Sequence, residues 1–253
     1  MKKILLVEGN LKEANQEFTE NGIKTHTESL QESISYYTNS LEIDSVNPSS
    51  DKDIFNKVKD LNKYEGLIWG GSSLNIYSDT KEIRRQIEFM KECQKKIKNI
   101  LAICWGMQVA VTAAGGVVNR GKNGAHRGIA HEIVINSDGL NHPIYKDKDK
   151  IFNTPAFNYD EVVTLPKDAI LLSSNKVNNV MALNFETEFS KIWGIQYHPE
   201  ITYEKMITLI KFRRERLLEN KSFSDEKDLE SHISMIEKED KITKKESRMR
   251  ELK

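Results

Sequence analysis

The stretch Leu101-Ala102-Ile103-Cys104-Trp105-Gly106-Met107-Gln108 joins a short apolar run to a cysteine and then to a second apolar segment. Residues 100–103 predict a buried strand, and residues 108–114, rich in Ala and Val, predict a helix. Cys104 therefore falls at a strand-to-helix corner, clear of the sheet and beside the positive end of a helix dipole. A thiol in such a place ionises readily, and the thiolate is the nucleophilic form. Cys104 is a candidate nucleophile, although a lone cysteine after a strand is more often a small buried hydrophobe.

A second stretch, Lys191-Ile192-Trp193-Gly194-Ile195-Gln196-Tyr197-His198-Pro199-Glu200, also ends an apolar strand in reactive side chains. A cysteine nucleophile needs a base, and that base needs a third group to hold its tautomer and stabilise the imidazolium. His198 and Glu200 can supply both. The two stretches together predict a catalytic triad of Cys104, His198 and Glu200.

The motifs A-I-C-W-G-M-Q and W-G-I-Q-Y-H-P-E resemble the two signatures of class I glutamine amidotransferases, the triad type. They are most similar to single-domain proteins that look like the amidotransferase half of GMP synthetase. The resemblance covers roughly residues 1–220, with both motifs in the family's order and about ninety residues apart. Ala102 is a mild departure, because the family usually has glycine there. The resemblance implies a flavodoxin-like fold in which Cys104 attacks a carboxamide.

The segment Tyr64-Glu65-Gly66-Leu67-Ile68-Trp69-Gly70-Gly71-Ser72-Ser73 is another strand end. Paired glycines after a strand form either a plain turn or a loop whose backbone N–H groups point into a pocket, as in an oxyanion hole. A Gly-Gly-Pro stretch occupies this place in the family, and the resemblance assigns the hole to the N–H groups of Gly71 and Trp105. Ser72 stands where the family usually has proline.

Five further residues are candidates for substrate binding. Gln108 lies one helical turn after the cysteine, where related enzymes hold the substrate's α-amino or carboxylate end, although it can equally satisfy nearby backbone. Ser73 follows the glycine pair. Residues 157–162 resemble the family's S-H-G-D-x-V segment: Asp160 matches it, while Asn158 and Tyr159 replace His and Gly or His. Asp160 either lines the pocket or caps a turn.

Strands and helices alternate with short connections in the first half of the chain, which predicts an α/β fold with a doubly wound, mostly parallel sheet and helices on both faces. Predicted strands cover 4–7, 23–27, 41–46 and 100–103, and the segment 64–73 contains the end of another. Predicted helices cover 12–21, 30–39, 53–62 and 80–98. Shorter strands follow from residue 117, with later ones at 129–135, 169–174, 180–185 and 191–197. We expect residues 1–220, ending in a helix over 203–218, to form the amidotransferase domain. We expect residues 221–253 to form a C-terminal extension, a helix over 225–238 followed by a charged tail that is either solvated or disordered or docks on a partner subunit.

Composition narrows the function classes. A net charge of zero does not favour nucleic acid or an anionic membrane as partner. No apolar run approaches the roughly 20 residues that cross a bilayer, and the chain opens on a strand, so we expect a cytoplasmic protein. Two cysteines give no disulfide framework, and Cys93 is expected to be structural. The histidines at 126, 131 and 142 lack zinc-ligand spacing, so we expect no metal and no cofactor.

Three functions remain open. The first is a glutamine amidotransferase that hydrolyses glutamine through a γ-glutamyl thioester and delivers ammonia to a separate synthetase subunit, since no ATP-binding loop is present. The second is a stand-alone hydrolase of γ-glutamyl amides, for which Ser72 and Asn158 argue. The third, a binding module with a dead site, fits an intact triad least. The nitrogen acceptor and the oligomeric state are not determined by the sequence.

Overall fold

The computed structural model describes the backbone of residues 2–251 and the side chains of residues 2–245. Eleven strands occur in this part of the chain: β1 (Lys2–Val7), β2 (Leu41–Val46), β3 (Gly66–Trp69), β4 (Asn99–Ile103), β5 (Val117–Arg120), β6 (His126–Ile135), β7 (Ile151–Asn158), β8 (Asp160–Thr164), β9 (Ile170–Ser174), β10 (Ala182–Glu186) and β11 (Lys191–Ile195). The helices of the same part are α1 (Lys12–Glu20), α2 (His26–Tyr37), α3 (Ile54–Lys57), α4 (Lys81–Lys96), α5 (Trp105–Ala113), α6 (Ser137–Leu140), α7 (Tyr203–Phe212), α8 (Arg214–Glu219) and α9 (Glu226–Glu251).

A central sheet runs in the order β2-β1-β3-β4-β11-β10-β9-β6-β7, and β5 pairs with β8 in a small antiparallel sheet. The strands from β2 to β11 are parallel, whereas β10, β9, β6 and β7 extend the sheet in antiparallel fashion. The predicted α/β fold is confirmed. Because β4 and β11 are parallel neighbours with Ile103 opposite Ile195, the segments that carry Cys104 and His198 leave the same edge of the sheet.

Alternating residues of the parallel strands enter two different apolar clusters. Leu5, Leu67 and Ile100 pack with α4 and α5 on one face. Leu6 and Ile103 pack on the other face with Leu30 of α2. Strands buried on both faces read as continuous apolar runs, which is why 4–7 and 100–103 were recognisable as parallel strands.

The predicted strand over 23–27 is wrong. The Thr25 side chain accepts from the N–H of Glu28, and the Glu28 carboxylate accepts from the N–H of Thr25, which forms a capping box. This cap starts α2 at His26, four residues before the predicted helix. Ile23 belongs to the turn after α1, where its N–H donates to Phe18 O and its side chain is buried.

Three other predicted boundaries also differ. The predicted helix over 53–62 is only the single turn α3 and a 3₁₀ turn, Leu61–Lys63, because the backbone leaves the helical region at Val58 (φ −107°, ψ 62°). The predicted helix over 203–218 is two helices, α7 and α8, separated by Arg213 at φ −94° and ψ 11°. The predicted tail beyond residue 238 continues α9 to Glu251.

The C-terminal helix α9 packs against α7. Leu229, Ile233 and Ile236 are buried in a third apolar cluster that also contains Met206 and Ile210 of α7. Full burial of such side chains stabilises a fold by about 1.5–3 kcal/mol each. The helix is therefore held by the body of the protein, and the boundary at residue 220 stays a prediction.

In the part of the chain that the structure describes, no helix combines the length and apolar character needed to cross a membrane.

Candidate active site

Cys104 lies between β4 and α5 in a conformation that side chains rarely adopt, with φ 53° and ψ −104°. Holding a non-glycine residue there costs on the order of 1–3 kcal/mol and occurs where the surrounding structure enforces it. Two backbone bonds do so: the N–H of Cys104 donates to Ile195 O at 2.7 Å, and the N–H of Gly106 donates to Gly70 O at 3.2 Å. Gly106 is required, because a Cβ there would lie 2.4 Å from Trp69 O. The corner predicted for Cys104 is present.

His198 and Glu200 lie at the end of β11 and are both buried. The Nδ1 atom of His198 is 2.7 Å from Oε1 of Glu200, and the backbone N–H of His198 donates to Pro155 O. Cys104 lies close enough to the same imidazole for its charge to act on it. The structure thus brings the three predicted residues into the order thiol, imidazole, carboxylate.

Burial would by itself lower the pKa of His198, but the negative charges of Glu200 and Cys104 and hydrogen bonds to both raise it to about 10. The imidazole is therefore protonated at neutral pH. This positive charge offsets the negative charge of Glu200, and the ring holds the proton that a leaving group needs.

Gly71 and Trp105 lie beside this triad. In the part of the chain that the structure describes, neither backbone N–H donates to a backbone carbonyl. The indole of Trp105 is fixed in the core, where its Nε1 donates to Gln86 at 2.8 Å, so the first N–H of α5 is rigidly placed. Gly71 is held so close to His198 that a Cβ would be 2.8 Å from its Cε1. Both predicted oxyanion donors are thus adjacent to the reacting groups.

A cleft of about 210 Å³ opens in front of Cys104. All five residues predicted to bind substrate line it: Ser73, Gln108, Asn158, Tyr159 and Asp160. The side chains of four of these five also bond to other parts of the protein, and among them the hydroxyl of Tyr159 hydrogen-bonds to that of Ser222.

Gln108 belongs to a buried chain of amides. Its Nε2 donates to Gln196 Oε1 at 3.5 Å, and Gln196 Nε2 donates to the sulfur of Cys104 at 3.4 Å. Gln196, which the sequence analysis did not single out, therefore contacts the nucleophile directly. Its place in the motif, two residues before His198, was the available signal.

The polar atoms of Asn158 and Asp160 are engaged by the protein. Asn158 bonds to His126, Asn178 and the carbonyl of Asp160. The carboxylate of Asp160 accepts from Asn75 Nδ2 at 2.7 Å and from Tyr77 Oη at 3.0 Å. Both residues line the cleft, but their side chains form hydrogen bonds within its wall.

Three arginines in the cleft were missed by sequence reasoning: Arg120, Arg213 and Arg216. Among the described residues, no carboxylate lies within 4 Å of any of the three guanidinium groups. Burial and the nearby charge of Arg216 lower the pKa of Arg213 to about 10, so the group stays charged at neutral pH. The Cζ atom of Arg213 lies 5.6 Å from the ring centroid of Phe18 and 5.5 Å from that of Phe157. It lies at the break between α7 and α8, which no sequence pattern marked.

One group of potential metal ligands lies close together within residues 2–245, namely His26, His198 and Glu200, with their ligand atoms within 4.8 Å of one another. The 2.7 Å between His198 Nδ1 and Glu200 Oε1 is a hydrogen-bond distance. Two ligands of a tetrahedral zinc ion, each about 2.0–2.2 Å from the metal, lie roughly 3.3–3.5 Å apart. The arrangement therefore suits a proton between the two atoms rather than a shared metal ion.

The family model described as glutamine amidotransferase class-I matches residues 22–214. The chain belongs to this family. The predicted membership is confirmed, and the matched region contains every predicted site residue.

Curated relatives of this class I chain carry two kinds of name. The chain is 33% identical over 145 residues to γ-glutamyl-L-1-hydroxyisopropylamide hydrolase from a Pseudomonas species, and the match covers 56% of this chain and 49% of that one. It is 30% identical over 158 residues to γ-glutamyl peptidase 4 of Arabidopsis thaliana, covering 62% and 61%. It is 32% identical over 106 residues to a glutamine-hydrolysing GMP synthase subunit from Methanosarcina acetivorans, covering 42% and 52%. The matches thus span about half to three fifths of these proteins.

A solved structure shares the fold. A glutamine amidotransferase from Thermotoga maritima superposes with a TM-score of 0.65 at 18% identity, over 95% of this chain and 92% of that one. The correspondence extends over almost the whole chain, including the antiparallel strands that extend the sheet.

Proposed function

We propose that this class I chain hydrolyses the side-chain amide of γ-glutamyl compounds, glutamine among them, through a covalent thioester on Cys104. The observation that carries the proposal is the alignment of thiol, imidazole and carboxylate, with Glu200 2.7 Å from the protonated His198. The backbone N–H groups of Gly71 and Trp105, which have no backbone acceptor within the described part of the chain, lie next to them. These are the parts that acyl transfer by a cysteine requires.

In the first half-reaction the thiolate of Cys104 attacks the γ-carbonyl carbon, and the carbonyl oxygen becomes an oxyanion that accepts from Gly71 and Trp105. As the C–N bond breaks, the imidazolium of His198 gives its proton to the leaving nitrogen, which departs as ammonia or an amine. In the second half, water gives a proton to His198 and adds to the thioester. Collapse of this intermediate expels the thiolate and releases glutamate.

Arg213 is the residue we propose for holding the α-carboxylate of the γ-glutamyl unit. It lines the cleft that contains Cys104, and no carboxylate of the described residues lies within 4 Å of it. A guanidinium can bind a carboxylate through two parallel hydrogen bonds, which fixes orientation as well as position. The exposed Arg120 and Arg216 lie farther toward solvent and can attract an anionic substrate to the cleft.

Two fates of the nitrogen follow. Similarity to a GMP synthase subunit supports the delivery of ammonia to a separate synthetase. Similarity to a γ-glutamyl amide hydrolase and a γ-glutamyl peptidase supports stand-alone hydrolysis, in which an amine is released. The cleft of about 210 Å³ in front of Cys104 favours the second fate, because it leaves space for a leaving group larger than ammonia.

The test is glutamate release from glutamine and from a panel of γ-glutamyl amides by the purified protein, with Cys104→Ala as control. We expect turnover that the substitution abolishes, and a substituted γ-glutamyl amide that is cleaved faster than glutamine. Turnover of glutamine alone, stimulated by a copurifying synthetase, would instead support ammonia delivery. Turnover that survives Cys104→Ala would overturn the proposal.

We further propose that residues 1–220 are the catalytic unit and that the extension from 221 onward braces it through α9. The contacts of Leu229, Ile233 and Ile236 with α7 support this division. Both cysteines are free, as a thiol nucleophile requires, and a cytoplasmic location is part of the same proposal.

A further inference from the structure

A second histidine lies against the triad. His26 is the first residue of α2 and is 8% exposed. Its ring stacks on that of His198, with centroids 5.7 Å apart and an interplanar angle of 21°. Its Nδ1 atom is 4.0 Å from Glu200 Oε1, the oxygen that already accepts from His198.

His26 is a neutral side chain in this position. Burial lowers its pKa well below the usual value, and the positive charges of His198, Lys205 and Arg213 lower it further. The contact with Glu200 is therefore not an ion pair. The buried Nδ1 atom has no hydrogen-bond partner among the described residues. Leaving a polar atom unpaired in the interior destabilises a protein, so a residue of this type needs a reason to be there.

Gly71 connects the two rings. A Cβ on Gly71 would lie 2.8 Å from Cε1 of His198 and 2.8 Å from Cε1 of His26. The oxyanion loop at Gly71 therefore packs against both imidazoles, that of the predicted catalytic base and that of His26.

We propose that His26 is a positioning residue that holds the His198 ring in the plane of Glu200 and presses Gly71 into the oxyanion hole. This inference rests on the proposed function. A neutral aromatic ring suits the task, because a charged one would compete for Glu200 Oε1 and repel the imidazolium. A phenyl ring is somewhat larger than imidazole but presents the same flat face, so it should replace His26 if the site uses the ring face rather than a hydrogen bond.

The test compares His26→Ala, which removes the ring, with His26→Phe, which keeps a ring of similar shape. His142→Ala serves as the control, since His142 also packs against an aromatic ring, edge-on to that of Trp193 with centroids 4.9 Å apart, but outside the site. The measurements are kcat and KM for the best γ-glutamyl substrate, the pH profile of kcat, and the unfolding temperature.

We expect His26→Ala to lower kcat by about 100-fold with KM nearly unchanged, as a displacement of about 1 Å in catalytic groups does. Its alkaline limb should move to lower pH, because a tilted His198 is less well paired with Glu200. His26→Phe should recover most of kcat and the original limb. A lower unfolding temperature with unchanged kcat and pH limb in His26→Ala, or a His26→Phe as impaired as His26→Ala, would overturn the inference.

The rate of Cys104 alkylation by iodoacetamide, followed against pH, separates this inference from the proposed function. If the wild type cleaves no γ-glutamyl compound, the proposed function fails. The alkylation profile still reports the pairing of Cys104 with His198, and it should change in His26→Ala and be restored in His26→Phe. An identical profile in the wild type and His26→Ala would overturn the positioning role without reference to any substrate.

Discussion

The narrow space around Gly71 makes Gly71→Ala the sharpest test of the site geometry. The added Cβ would lie 2.8 Å from Cε1 of His198, 2.8 Å from Cε1 of His26 and 3.1 Å from Nδ1 of His26, whereas ordinary contacts begin at 3.4 Å. At least one neighbour must therefore move by about 0.6 Å, the difference between 3.4 and 2.8 Å. Because both rings lie against Gly71, the added methyl group would collide with the two of them at once.

Two losses follow from that displacement. Catalytic groups displaced by close to 1 Å lose about 100-fold in rate, and an oxyanion donor that is removed costs about 10²–10³ in kcat. The two effects share one cause, so we expect a combined fall in kcat of roughly 100- to 1,000-fold. KM should change little, since the substrate's α-carboxylate is proposed to bind at Arg213.

The assay is glutamate release from the preferred γ-glutamyl substrate, with circular dichroism and thermal unfolding to show that the variant folds. Gly66→Ala is the matched control at the start of β3, where a Cβ would be 3.4 Å from Asn99 O and 4.0 Å from Asn99 Cβ. It should retain close to wild-type kcat. A folded Gly71→Ala within threefold of wild type, or a Gly66→Ala equally impaired, would refute the reasoning.

Three further predictions concern the thiols, the carboxylate and the C-terminal helix. Cys104 should be alkylated by iodoacetamide far faster than Cys93, which is fully buried and whose pKa is raised by that burial; equal rates by peptide mass spectrometry would contradict the site. Glu200→Gln should lower kcat by about 10²–10⁴-fold and move the alkaline limb of its pH profile to lower pH, because the carboxylate helps raise the pKa of the triad histidine to about 10. Because the pKa is raised in the folded protein, the charged histidine adds stability that is fully present below pH 6.5 and is lost as the pH rises through about 10. The urea midpoints of the variant and the wild type should therefore differ at pH 6 and converge above pH 10. A difference that stays constant with pH would disprove the linkage. Ile236→Ala, at a fully buried position, should lower the free energy of unfolding by about 2–5 kcal/mol. The control Ile242→Ala, at a position that is 52% exposed, should change it by no more than about 0.5 kcal/mol. Equal chemical-denaturation midpoints for the two variants would mean that α9 is not part of the core.

The parallel half of the sheet and the placement of Cys104 beside His198 could be predicted, because buried parallel strands leave continuous apolar runs and end at one edge. His26 could not. The apolar Ile23 and β-branched Thr25 favoured a strand over 23–27, and only the reciprocal bonds between Thr25 and Glu28 start a helix there. The Thr25 and Glu28 spacing of a capping box is present in the sequence and was overlooked.

Arg213 shows a different limit. An uninterrupted helix over 203–218 would have placed its side chain by helical periodicity alone, and nothing in the sequence marks the break at φ −94° and ψ 11°. The break is imposed by packing, because α8 must turn to bury Leu217 while α7 buries Leu209 and Ile210. Tertiary contacts therefore decide that the Arg213 side chain faces the cleft, and the local sequence pattern does not contain this information.

The hydrogen bonds between Asp160 and the loop that contains Asn75 and Tyr77 affect how a substrate enters the cleft. Both carboxylate oxygens are engaged, at 2.7 and 3.0 Å, so the rim of the cleft is fastened to β8 before any ligand arrives. A rim held in this way is preformed and does not open or close when a ligand binds. Ligand capture should therefore be a single-step process whose observed rate rises linearly with concentration, and selection among substrates should reside in the fit of the molecule to a preformed shape.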